Sequence, residues 1–256
     1  MIDARAVIDS RARLDSSVEV GPFSIIGPDV EIGADTWIGP HVVINGHTRI
    51  GRNNKIYQFA SLGEVPQDKK YVDEPTLLEI GDRNLIREYV TINRGTSQDK
   101  GLTRIGDDNW IMAYVHIAHD CMIGNHTIFA NAASLAGHVI IDDYVILGGF
   151  TLISQFLRLG ENSFTAMGSV INRDVPPYVT VSGHMAIPYG INLEGLKRRG
   201  FSTQAITKIR QAYKLLYKSK LLFEEAVGQI EVMSADCAEL VPFVEFLKNA
   251  TRGIIR

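Results

Sequence analysis

Residues 105–147, IGDDNWIMAYVHIAHDCMIGNHTIFANAASLAGHVIIDDYVIL, carry a large apolar residue at every sixth position: Ile105, Ile111, Ile117, Ile123, Phe129, Leu135, Ile141 and Leu147. A helix returns apolar residues every three or four positions and an ordinary strand every two, so neither fits. A six-residue period is that of a parallel β-helix, in which each hexad supplies a short strand with one side chain pointing inward and then a tight turn. The frame continues at Ile153, Leu159, Thr165 and Ile171. Upstream it recurs one residue out of register, at Ile2, Ile8, Leu14, Val20, Ile26, Ile32, Ile38, Ile44, Ile50, Ile56 and Leu62, and again at Ile80, Ile86 and Ile92.

The next position is repeatedly Gly (Gly21, Gly27, Gly33, Gly39, Gly51, Gly63) or, earlier, Asp (Asp3, Asp9, Asp15). Such residues tolerate left-handed or crowded backbone at turns. The position four after each aliphatic is small or branched, as at Ser24, Thr36, Val42, Val115, Cys121 and Thr127, and fills the remaining inward space. Cys121 is therefore expected to be a packed thiol. Three hexads per coil make a triangular prism whose coils stack about 4.8 Å apart.

Two stretches break the frame. Residues 64–79, with Pro66 and Pro75, read as a loop thrown out from the prism, and residues 96–104 as a shorter excursion. The repeat ends at Asp174-Val175-Pro176-Pro177-Tyr178, and helix signals follow. Ser202 is placed to cap a helix reaching Lys218, with Ala205, Ile206, Ile209, Ala212, Tyr213, Leu216 and Tyr217 on one face. Residues 221–232 and 238–250 read as two more helices. The expected fold is mainly β: a β-helix over residues 1–190, then an α-helical domain over 191–256.

Composition excludes several classes. A net charge of −3 and a pI near 6.2 argue against a nucleic-acid binder. No apolar run approaches the roughly 20 residues of a membrane span, and the N-terminus lacks signal-peptide character. The two cysteines, Cys121 and Cys237, form neither a disulfide framework nor a zinc spacing. A soluble cytoplasmic protein is expected. Charge is divided, however: residues 191–256 hold 11 Lys and Arg against 7 Asp and Glu, and residues 195–220 contain no acid. That stretch is either a solvated helix face or a dock for an acidic partner or phosphate.

With 18 residues per coil, His119 stacks in one column with Gly137, Gln155 and Arg173, and Asp120 lies beside His138 in the next. His116 sits one face back. This corner suits general-base chemistry on a hydroxyl. An imidazole takes the proton, a carboxylate orients it, and a glycine amide meets the oxyanion. A zinc site of His116, His119 and His138 is the other reading. Hexad spacing does not separate the two.

The segments NGHTRIGRNNKIYQFASLGEVPQDKKY (45–71), HIAHDCMIGN (116–125), LAGHV (135–139), DVPPYV (174–179), NLEGLKRRGFS (192–202) and TRGIIR (251–256) resemble the UDP-N-acetylglucosamine O-acyltransferases of lipid A biosynthesis, essentially end to end. The resemblance implies a left-handed β-helix and a homotrimer with active sites in the clefts between subunits. It implies transfer of an R-3-hydroxyacyl chain from an acidic acyl carrier protein to the 3-hydroxyl of UDP-GlcNAc, without metal or organic cofactor. It casts His119 as base, Asp120 as its orienter and Gly137 as oxyanion donor. Asp68, Lys70, His116, His138 and Gln155 would line the sugar site, Asn192, Glu194 and Arg198 would hold the nucleotide, and Met167 would limit the acyl chain to about 10 carbons. Three positions depart from the family's usual histidines: Asn93, Ser154 and Met185. They leave N-acylation of a UDP-3-amino sugar as a second acceptor chemistry.

Overall fold

The structure, a computed structural model, describes all 256 residues. Strands of two to five residues form three sheets, parallel throughout except for the last pairing of the third. The first face runs from Val7–Ile8 to Val170–Ile171 in 9 strands, and the second from Arg13–Leu14 to Arg158–Leu159 in 8. The third begins at Glu19–Val20 and has 10 strands, including a terminal hairpin. Register follows the 18-residue coil: Ile117 pairs with Leu135, and Leu135 with Ile153.

Each hexad aliphatic is an inward rung. Ile38, Ile56, Ile86, Ile111, Phe129 and Leu147 are completely buried, each worth about 1.5–3 kcal/mol in apolar area removed from water. The position four later is also interior, as expected: Ser24, Thr36, Thr127 and Cys121 are fully buried. Burial pushes the Cys121 thiol up to about 12, so it is inert at neutral pH. Ile2 is half exposed because it belongs to the first coil, which has no neighbour beneath it.

The corners depart from expectation. Left-handed backbone is carried largely by His, Asp, Asn and aromatic residues, among them Phe23, His41, Phe59, Tyr89 and Tyr114. Most hexad glycines serve a different need: a β-carbon on Gly33 would stand 2.8 Å from the backbone of Gly51 in the next coil. Left-handed non-glycine backbone costs on the order of 1 kcal/mol per residue. Coil-to-coil stacking offsets it: the rings of Phe23, His41, Phe59, Tyr89 and Tyr114 follow one another at 5.2, 5.4, 4.9 and 4.8 Å, and such pairs contribute about 0.5–1.5 kcal/mol.

The two interruptions are shorter than the sequence suggests. Strands Ser61–Glu64, Leu77–Ile80 and Leu102–Ile105 extend into them. Two coils are lengthened, with Ser61 pairing Thr91 and Thr91 pairing His116. Arg94 anchors the first loop, donating to Gly63 O at 3.2 Å and to the Tyr71 hydroxyl at 2.7 Å.

Beyond the prism, an antiparallel hairpin of Val179–Ser182 and Ile187–Ile191 extends the third face; the period of six gives no sign of it. Helices α1 (Leu193–Arg198), α2 (Thr203–Lys218), α3 (Phe223–Ser234) and α4 (Val241–Asn249) follow. Ser202 caps α2, its hydroxyl accepting from Ala205 N at 3.0 Å. The short α1 lies outside the three expected helices, and a 3-10 turn, Ala238–Leu240, occupies the start of the last one. One hydrophobic cluster of 56 buried residues runs continuously through prism and helices. The tail returns to the prism, with Ile255 N donating to Asp174 O at 2.8 Å.

Candidate active site

The turn after strand His116–Ile117 places His119 and Asp120 at the corner between the first and second faces. Asp120 adopts left-handed backbone (φ 60°), its N–H donating to the Thr103 hydroxyl at 2.8 Å. His119 Nδ1 donates to Asp120 Oδ2 at 2.9 Å. Thr96 supplies its N–H (3.0 and 3.1 Å) and its hydroxyl (2.7 Å) to the same carboxylate. Burial pushes Asp120 upward, but the bonds from His119 and Thr96 outweigh it and hold the carboxyl below its ordinary value. It is an anion at neutral pH, and it orients the ring so that Nε2 is the free nitrogen.

One coil above, Gly137 meets the His119 ring. A β-carbon there would lie 2.6 Å from Cε1 and 2.8 Å from Nε2. The Gly137 N–H makes no hydrogen bond within the chain, while Ala136 and His138 donate to Ile153 O and His119 O. The same free N–H recurs at Gln155, so the distinguishing feature of Gly137 is the imidazole against it. The dyad with this amide can deprotonate a hydroxyl and stabilise a developing oxyanion nearby.

His119 was expected at an outward position, and it does point out of the prism. Yet only 6% of it is exposed, because the 96–104 excursion folds over the corner. His138 joins the cluster edge-on, its ring 5.1 Å from that of His119. Its Nδ1 lies 2.9 Å from Asp99 Oδ2. Asp99 and Thr96 were missed by sequence reasoning; the available signal was the excursion itself, which occupies the coil beneath His119.

His116 is not part of the cluster. It lies on the first face with Nδ1 2.7 Å from the Thr91 hydroxyl, and burial, then the nearby His119, lower its pKa. It lines a shallow groove with Leu135, Leu152, Ile153, Ser154 and Val170. The alternative zinc set of three histidines is not brought together: the groups whose ligating atoms fall within 4.8 Å are His119, Asp120 and His138. An ion there would compete with Thr96 and His119 for a carboxylate that already accepts their hydrogen bonds.

Gln155 is exposed, one coil above Gly137. Asp68 is half-buried and accepts from Lys70 N at 3.0 Å; neither contacts the histidine cluster within one chain. Asn93 is buried, 4% exposed, and donates to Val65 O at 2.8 Å. Met167 is 77% exposed at the corner between the third and first faces, beside Gly149.

The nucleotide candidates gather elsewhere. Asn192 caps α1, accepting from Gly195 N at 3.1 Å and donating to Asn162 O at 3.0 Å. With Glu194, Arg198 and Arg199 it rims a pocket floored by Ile128, Ile146 and Phe164 of the third face. Arg199 is fixed over the Tyr144 ring at 3.5 Å, leaving Arg198 exposed.

Residues 174–255 match the family model described as UDP-N-acetylglucosamine O-acyltransferase, domain 2, and residues 29–64 and 102–133 match the bacterial transferase hexapeptide. The chain is 57% identical over 209 residues to the acyl-[acyl-carrier-protein]–UDP-N-acetylglucosamine O-acyltransferase of Halorhodospira halophila, covering 82% of this chain and 81% of that one. It is 58% identical over 208 residues to the Janthinobacterium enzyme of the same name, covering 80% and 79%. The UDP-N-acetylglucosamine acyltransferase structure from Francisella novicida superposes with a TM-score of 0.98 at 43% identity, covering all of this chain and 94% of that one. That from Bacteroides fragilis gives 0.98 at 41%, covering both chains fully. With a hexapeptide prism, a helical C-terminal unit and this degree of likeness, the chain belongs to the UDP-N-acetylglucosamine O-acyltransferases, a family of left-handed parallel β-helices.

Proposed function

We propose that the protein transfers an R-3-hydroxyacyl chain from acyl carrier protein to the 3-hydroxyl of UDP-GlcNAc, the opening step of lipid A synthesis. The observation that carries this reading is the His119–Asp120 dyad held against Gly137. His119 Nε2 removes the proton of the sugar hydroxyl as its oxygen attacks the thioester carbonyl. The Gly137 N–H stabilises the resulting oxyanion. Collapse of the tetrahedral intermediate expels the carrier's thiolate, which takes the proton from the imidazolium. Asp120 keeps the base in one tautomer and favours the imidazolium as it forms.

The active unit is a homotrimer whose sites are shared between subunits. In one chain the histidine cluster lies between the first and second faces while Asn192, Glu194 and Arg198 lie on the third, so a second copy is needed to unite them. Surface chemistry agrees. The second face exposes a charged ladder, Arg13, Glu31, Arg49, Glu79 and Arg104, suited to water. The outward residues Val7, Ile25 and Leu152 of the first face and Trp110 of the third are exposed and apolar, suited to burial by a partner.

The groove from His116 to Val170 is proposed to take the acyl chain, and Met167 to limit it to about 10 carbons. Arg210, Lys214 and Lys218 form an exposed row on α2 without ion-pair partners, and would speed encounter with an acidic carrier protein. Asp68 and Lys70 would meet the sugar, with His138 and Gln155 beside it, and Arg198 the diphosphate.

The test is acyl transfer from 3-hydroxydecanoyl carrier protein to UDP-GlcNAc and to its 3-amino analogue, with and without EDTA. EDTA-resistant transfer to UDP-GlcNAc is expected. Transfer to the amino analogue alone would reassign the acceptor, and loss on chelation would turn the histidine corner into a metal site.

A further inference from the structure

We propose that Asp99 is a positioning residue for the acyl transfer: through its bond to His138 it sets that imidazole's tautomer and turns Nε2 toward the reacting groups. The inference rests on the acyltransferase reading above.

His138 has left-handed backbone (φ 63°) and its ring lies on that of Phe156, with centroids 4.4 Å apart and planes 9° from parallel. Stacking fixes the plane of the ring but not which nitrogen carries the proton. Asp99 settles that, because an ionised carboxylate only accepts: with Oδ2 2.9 Å from Nδ1, the hydrogen sits on Nδ1. Nε2 then faces the His119–Asp120 dyad, 3.9 Å from Asp120 Oδ2, too far for a hydrogen bond. In the neutral ring it is an unengaged acceptor at the edge of the base, placed to take a hydrogen bond from a substrate O–H or N–H.

Asp99 is itself held. Thr96, at the start of its turn, is bonded to Asp120 through both N–H and hydroxyl. Thr96 O accepts from Gly101 N at 3.0 Å, and Gly101 O accepts from Leu77 N at 2.8 Å, tying the turn to the second face. One short excursion thus orients both imidazoles, His119 by way of Asp120 and His138 by way of Asp99. The charged and titratable groups around His138 are Asp99, Asp120 and His119, with Arg252 on Phe156, 4.9 Å from its ring centre. The His138 side chain is 15% exposed and that of Asp99 40%, so the pair is reachable from solvent and from substrate.

The experiment compares wild type with Asp99→Asn, Asp99→Glu, His138→Gln and the Asp99→Asn/His138→Gln double variant, reading kcat, KM and Tm for transfer to UDP-GlcNAc. Nitrogen-15 NMR of the histidine rings reports the tautomer directly. Asparagine offers an N–H to Nδ1 and so allows the other tautomer. Asp99→Asn is expected to lower kcat about tenfold, leave Tm unchanged and move the His138 proton to Nε2. Asp99→Glu restores most of the rate, and Asp99→Asn costs nothing further once His138 is Gln. Unchanged tautomer and rate in Asp99→Asn, or losses that multiply in the double variant, would overturn the proposal. Absence of transfer by the wild type would instead overturn the acyltransferase reading, and this role with it.

Discussion

The imidazole of His119 lies so close to the α-carbon of Gly137 that any side chain at 137 must displace the ring: a β-carbon would stand 2.6 Å from Cε1 and 2.8 Å from Nε2. The 18-residue coil sets this contact, since it stacks residue 137 directly on residue 119. Gly137→Ala is therefore expected to push the ring off its position. Relief of the overlap should cost about 1–3 kcal/mol of stability, and kcat should fall by about a hundredfold. Steady-state kinetics beside thermal melts would check it; an alanine variant with wild-type kcat would mean the ring's position is unimportant.

A shared site predicts complementation. His119→Ala and Arg198→Ala chains should each be nearly inactive as pure oligomers. Unfolded together and refolded at equal concentrations, they should regain roughly a quarter of wild-type activity, because random assembly of a closed ring restores both groups at that fraction of sites. No recovery in verified mixed oligomers would place both groups in one chain's own site.

Met167 stands exposed beside Gly149, and in the function proposed above its long side chain would shorten the acyl cleft. Each buried methylene is worth about 0.8 kcal/mol, so Met167→Gly should raise the ratio of C14 to C10 transfer by well over tenfold. A clear C14 preference in the wild type, unchanged in the variant, would remove Met167 from the acyl path.

His116 gives the fold a pH dependence. Burial, and secondarily His119, lower its folded pKa below 6.5, so between those two values the unfolded chain binds more protons than the folded one. Its contribution to stability is complete above pH 6.5 and is lost as pH falls toward the folded value. Thermal melts at pH 7.5 and pH 5 should show a larger drop for wild type than for His116→Asn. Equal drops would show that His116 does not feel its burial.

The prism was legible because inward rungs such as Ile111, Ile117 and Phe129 recur with nothing but a period of six to satisfy. The histidine column followed from the same arithmetic. What was hidden depends on contacts that no period encodes. Asp99 lies in the 96–104 excursion, and only its folding over the corner brings it to His138. Aromatic corners such as Tyr89 and Tyr114 look like poor turn formers alone, and are stabilised by rings one coil away. The hairpin Val179–Ile191 escaped because it is antiparallel and has no hexad rhythm. The nucleotide candidates lie on a different face from the base, a separation that residue identities cannot show.

The most direct measurement is kcat for transfer from 3-hydroxydecanoyl carrier protein to UDP-GlcNAc by wild type and by His119→Ala. A general base contributes about 10²–10⁴-fold. The expected result is a fall of that size in kcat, with KM for UDP-GlcNAc and Tm little changed. A His119→Ala enzyme retaining most of its kcat while properly folded would contradict the assignment of His119 as the base.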